Sequence, residues 1–201
     1  VASRTQDVDL ARRQVLKLAA PLSFLQTMQA TQLEFVPVPG LAPGAPSTSV
    51  KRKGQDGLRV DMLTPGSQLG RLVVLPELQW HAQAVPHFDY LLREPRRACL
   101  LAGGYCISVA VPAPQRLVWH KLYSSAKRRH DLAKADKDLL QAATLAAALV
   151  EDDHVNIVES AADVPAQLRN AARRRLPALR KLLMAHPQAL EEIERAVAAG
   201  T

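Results

Sequence analysis

The stretch "SRTQDVDL" (residues 3–10) sets Asp7 and Asp9 on either side of a valine. Read as a strand, whose side chains alternate with period two, it projects both carboxylates from one side. Like charges that close repel unless something positive lies between them; the alternative is a solvated turn. A third acid, Asp61, stands in "GLRVDMLTP" (57–65) between Val60 and Met62, where a buried unpaired charge is costly. Alternation places Arg59, Asp61 and Leu63 on one face and Val60 and Met62 on the other. If this strand lies beside the first, three carboxylates converge. Such oxygens suit Mg²⁺ (or Mn²⁺), with waters and substrate phosphates completing the shell. Two ions about 4 Å apart would activate an attacking hydroxyl and stabilise a departing pyrophosphate. The competing reading is a structural ion pair of Asp61 with Arg59 or Arg52.

The elements that must position these acids are legible in outline. "ARRQVLKLAAPLSFLQTMQA" (11–30) has apolar residues at helical spacing, with Pro21 kinking or dividing the helix. "LEFVPV" (33–38) reads as a strand, and "PGLAPGAPSTS" (39–49) as a loop. "SVKRK", "GQDG" and "LRVDML" form the pattern of a β-hairpin. Further strands are expected at "RLVVLPEL", "ACLLA" and "YCISVAVP", with a short helix around "AVPHFDYLLRE". The apolar run of "YCISVAVP" implies burial on both faces. From residue 112 the pattern turns helical: "PAPQRLVWHKLYSSAKRR", "KADKDLLQAATLAAALVED", "VPAQLRNAARRRLPALRKLLMAHP" and "QALEEIERAVAAG". The expectation is an α+β core over 1–111 and a helical domain over 112–201.

Composition bounds the class of partner. The chain has 201 residues, is 48% hydrophobic and 22% charged, and carries a net charge of +7, an ordinary globular balance that favours an anionic partner. No apolar run approaches the roughly 20 residues of a membrane span. Residues 1–10 show no signal-peptide core. A cytoplasmic location is expected, and Cys99 and Cys106 are expected as reduced core residues. Aromatics at 4% leave no stacking platform for single-stranded nucleic acid.

Taken together, "RTQDVDL", "TSVKRKGQDGLRVDMLTP", "VPAPQRLVWHKL" and "AKRRHDLAKADKDLLQA" resemble the DNA polymerase β-like nucleotidyltransferase superfamily, and within it a bacterial family of nucleotidyltransferase-fold proteins, over most of residues 3–150. The resemblance implies a small mixed sheet with flanking helices, followed by a C-terminal helical domain that closes over a nucleotide. It implies Asp7 and Asp9 as metal ligands, and Asp61 as a further ligand and the acid that orients or deprotonates the nucleophile. The family's Gly-Gly or Gly-Ser phosphate grip precedes the first aspartate by roughly ten residues, and its amides bind phosphates. Only six residues precede Asp7, so that element is expected upstream of Val1.

For the triphosphate, Lys51 and Lys53 share one strand face and offer point charges, unless they only guard an edge strand. In related branches a Lys…Arg…Lys-Asp pattern meets the triphosphate, which here selects Lys121 and Lys137. The implied activity is metal-dependent transfer of a nucleoside monophosphate from an NTP to a hydroxyl on a small molecule, a protein or an RNA end. The alternative is a catalytically inactive nucleotide-binding or regulatory module on the same fold. A nucleic-acid-binding protein driven by charge alone is disfavoured, because three acids would face the phosphate backbone.

Overall fold

The computed structural model describes residues 7–40, 42–151 and 155–199. The chain divides into two compact units, Val1–Asp89 and Tyr90–Thr201. The division falls ahead of the segment 96–111 rather than behind it.

The first unit is built on one sheet. Its strands are β1 (Asp7–Ala11), β2 (Phe35–Pro37), β3 (Ser49–Arg52), β4 (Arg59–Pro65), β5 (Leu72–Leu75) and β6 (Trp80–Val85). The order is β2-β3-β4-β6-β5, and β1 also pairs with β4. Strand β3 takes one edge of β4; β1 lies parallel along Arg59–Leu63 on the other edge, and β6 continues along Leu63–Pro65. The mixed sheet and its helices give the α+β class that the sequence implies.

Strand β4 alternates between half-buried and buried positions, as period two requires. Val60 and Met62 point into a core with Phe24, Phe35, Val50, Leu75, Leu78, Trp80 and Ala82. Phe24 begins helix α1 (Phe24–Gln29), and its ring lies 5.4 Å from that of Trp80. Removing this face from water is the main force holding the unit together. The other face carries Arg59 and Asp61. In the turn from β3 to β4, a Cβ on Gly57 would lie 1.9 Å from the Arg52 carbonyl oxygen, so only glycine fits there.

Three expectations need correction. The helix expected over 11–30 is only Phe24–Gln29, started by the Ser23 side chain, which accepts from the Gln26 N–H. Upstream, Glu77 captures the chain instead: it pairs with Arg12 at 2.8 Å and accepts from the Leu16 N–H, and its carbonyl accepts from the Leu22 N–H. The Arg12 guanidinium holds the Glu77 carboxyl below its usual value. Strand β6 is not among the expected elements, although Trp80, Ala82 and Ala84 alternate into the interior.

The third correction concerns the cysteines. Residues Arg96–Ala102 (β7) and Tyr105–Val111 (β8) form a two-stranded antiparallel hairpin. Gly103 and Gly104, both with positive φ, form the tight turn that such a pair favours. Residues of both its faces are exposed, including Leu101, Tyr105, Ile107, Cys99 and Cys106. The apolar run of β8 reports strand propensity, not burial.

The rest of the second unit is helical. Helix α2 (Phe88–Leu91) spans the division, and α3 (Pro114–Lys127), α4 (Leu132–Glu151), α5 (Ile157–Ser160), α6 (Ala166–Leu182) and α7 (Pro187–Ala198) follow. Proline in the first turn of α3 and α7 forfeits no hydrogen bond there. Val118, Trp119, Leu122, Ala142, Leu168, Leu179 and Ile193 form the core. Arg116 lies 4.8 Å from the Tyr90 ring centre and pairs with Asp163 at 2.8 Å and Glu94 at 3.1 Å. No helix among the described residues is long and apolar enough to cross a membrane.

Candidate active site

The acids of the first strand and the third acid meet through strand register. Strands β1 and β4 run parallel with Asp7 opposite Arg59 and Asp9 opposite Asp61. On the other side of β4, Lys51 opposes Arg59 and Ser49 opposes Asp61. Residues in register share a face, so two rows cross the sheet: Lys51–Arg59–Asp7 and Ser49–Asp61–Asp9. Asp7, Asp9 and Asp61 therefore share the face opposite the core. Strand β1 is exposed along its whole length, so its carboxylates are open to solvent.

Asp61 is held firmly. Its Oδ1 accepts from Arg59 Nε at 2.8 Å and from the Ser49 hydroxyl, and Ser49 Oγ in turn accepts from Arg59 Nη2 at 2.9 Å. The result is a closed triangle of acid, hydroxyl and guanidinium, with the Asp61 side chain 22% exposed. A bond from a cation and a second from a hydroxyl fix the rotamer of this carboxylate. The ion pair with Arg59 thus coexists with a shared acidic face.

The donors fit a hard divalent cation in kind: carboxylate oxygens, two of them on register partners. In arrangement, Arg59 holds one oxygen of Asp61. Among the described residues, no three His, Cys, Asp or Glu groups are gathered closely enough to hold a metal ion.

The lysines divide between the two units. Lys51 lies on the acid-bearing face, and its Nζ donates to the Gln55 carbonyl at 2.9 Å. Lys53 falls just past the end of β3 and pairs loosely with Glu34 at 3.4 Å. Lys121 on α3 donates to Asp138 Oδ1 at 2.8 Å, and Arg128 Nε donates to Asp138 Oδ2 at 2.7 Å. Lys137 is exposed on α4.

Of two further residues of consequence, Ser49 is missing from the sequence reading and Asp138 is read there only as an i, i+4 neighbour of Lys134. Ser49 has a signal only once the hairpin register is known. Asp138 is 5% exposed and clamps Lys121 of α3 and Arg128 just past its end. Its spacing from Lys134 suggests an i, i+4 pair, but Lys134 pairs with Asp131 at 3.1 Å. The residues Arg4 and Thr5 of the "RTQDVDL" motif lie outside the described residues.

A family model described as Nucleotidyltransferase matches residues 2–165, a span that includes Asp7, Asp9, Asp61, Lys121 and Lys137. No curated protein and no solved structure matches the chain.

Proposed function

The chain belongs to this nucleotidyltransferase family, and from that premise we propose that it transfers a nucleoside monophosphate from an NTP to a hydroxyl acceptor, with the face bearing Asp7, Asp9 and Asp61 as its active site. The observation that carries the reading is the register of Asp9 with Asp61 on one sheet face, with Asp7 on the same strand.

Asp7, Asp9 and Asp61 would hold Mg²⁺ or Mn²⁺, which when bound supplies positive charge to phosphate oxygens and acidifies a hydroxyl. Asp61 receives the proton of the acceptor hydroxyl as its oxygen bonds to the α-phosphorus and the bond to the β-phosphate oxygen breaks. Pyrophosphate leaves. Ser49 and Arg59 fix the Asp61 rotamer, so the base is aimed before substrate arrives. The Arg59 charge also limits repulsion among the acids while the face is empty. Lys51, Lys53, Lys121 and Lys137 are the proposed phosphate contacts, and the KM for NTP in single Lys→Ala variants tests each.

The direct test incubates the chain with α-labelled NTP, a divalent cation and a cell extract as acceptor source. Label transferred to an acceptor and absent with Asp61→Asn supports the proposal. Nucleotide binding without turnover under any cation would replace it with the non-catalytic binding module.

A further inference from the structure

The β7–β8 hairpin carries both cysteines of the chain, and the pattern of pairing puts them together. Cys99 opposes Ser108, and Leu101 opposes Cys106. Residues two apart in a strand share a face, so Cys99 and Cys106 are diagonal neighbours on one face. As diagonal neighbours their Cα atoms stand about 7–8 Å apart, so joining the sulfurs draws the two strands together by about an ångström. Both are free and exposed, so an oxidant in solvent reaches either one. The neighbouring Cys106 thiol raises Cys99 above its ordinary value by favouring its protonated form.

The hairpin around them has little else to hold it. Residues of both faces are exposed, and among the described residues its two strands pair only with each other. A two-stranded ribbon without a covered face is marginally stable in water. A covalent bond between the strands would therefore change its order substantially, whereas the same bond inside a packed sheet would change little.

We propose that Cys99 and Cys106 are a reversible dithiol–disulfide pair that locks the β7–β8 hairpin. A peroxide supplies the oxidising equivalents. One thiolate attacks the peroxide and becomes a sulfenic acid as the first water departs; the second thiol attacks that sulfur, forms the S–S bond and expels the second water. The net change is two thiols and one peroxide to one disulfide and two waters. Thiolate exchange with a reduced dithiol returns both cysteines. This inference does not rest on nucleotidyl transfer.

The test uses the reduced chain and dilute hydrogen peroxide, with dimedone present in a parallel sample. One tryptic peptide, Ala98–Arg116, holds both cysteines. It is expected to lose about 2 Da on oxidation and to regain it with dithiothreitol. In Cys99→Ser the loss disappears and Cys106 is captured as its dimedone adduct. Both positions are exposed, so these serine variants keep the fold. Amide exchange over residues 96–111 is expected to slow by about tenfold or more on oxidation, as closing a cross-strand bond requires, and to stay unchanged in Cys99→Ser. Two dimedone adducts on one wild-type chain, disulfide-linked dimers, or a disulfide that leaves exchange unaltered would each overturn the proposal.

Discussion

Asp9 and Asp61 stand opposite each other on the parallel pair β1–β4, one on an exposed strand and the other in the centre of the sheet. The relationship separates function from stability. Asp61→Asn keeps the shape of the side chain but cannot take a proton, so nucleotidyl transfer should fall by about 10²–10⁴-fold, the range for loss of a positioned base. Asp9→Asn removes a proposed cation ligand, and raising the Mn²⁺ concentration should recover part of its activity. Because Asp9 is exposed, its substitution should change unfolding free energy by less than about 1 kcal/mol. Label-transfer assays beside urea denaturation check both statements.

Arg59 shares the acidic face and occupies one oxygen of Asp61. Replacing it by alanine removes a positive charge from beside the proposed cation site. The side chain is 39% exposed, so a water-like screening applies, and about 1 kcal/mol at contact distance corresponds to roughly fivefold tighter Mn²⁺ binding. Water-proton relaxation during a Mn²⁺ titration measures it. Unchanged affinity would remove Arg59 from the neighbourhood of the cation.

Asp138 is the buried partner of two more exposed cations, Lys121 and Arg128. Deleting the cations should therefore cost more than deleting the acid. Lys121→Ala with Arg128→Ala leaves an unpaired buried carboxylate and should lower stability by about 3–5 kcal/mol. Asp138→Asn leaves cations that reach solvent and should cost about 2 kcal/mol. Denaturant unfolding of the two variants gives the order directly.

Burial pushes the Tyr90 phenol up to about 12, against a smaller opposing effect of Arg116. The folded state thus holds the proton more tightly than the unfolded chain, whose tyrosine ionises near 10. Stability from this group is full below pH 10 and is lost as pH rises from about 10 towards about 12. Tyr90→Phe should flatten that part of the alkaline stability profile. Absorbance at the phenolate band, recorded together with circular dichroism, should show Tyr90 ionising only near its folded value or with unfolding.

The face of β4 was legible because its alternation is strict: Val60 and Met62 need a core, and Arg59 and Asp61 must then point the other way. The meeting of that face with Asp7 and Asp9 depends on strand order, which local spacing does not encode. Residues 12–22 show the opposite failure. Their apolar spacing is helical, yet a single distant carboxylate, Glu77, takes the hydrogen bonds. Strand β6 was hidden because Trp80 alternates with small alanines and with His81 and Gln83, a weak amphipathic signal. In β8 the apolar run was misleading, since hydrophobicity alone does not say whether anything covers a strand. Asp138 reads from sequence as a surface partner of its own helix, and only tertiary packing turns it inward.

The parallel pairing of β1 with β4 also orders events in time. Between the two strands the chain must lay down α1, β2 and β3. As the polypeptide leaves the ribosome, β1 emerges ahead of β4 and is without that partner while all of these are made. Closing so long a loop is entropically costly until other contacts reward it. The β3–β4 hairpin, with its short glycine turn, can form locally and present a ready edge. Asp61 finds Ser49 and Arg59 within that local hairpin, whereas Asp7 and Asp9 meet it only across the longer loop, so the acidic face carries the larger closure cost.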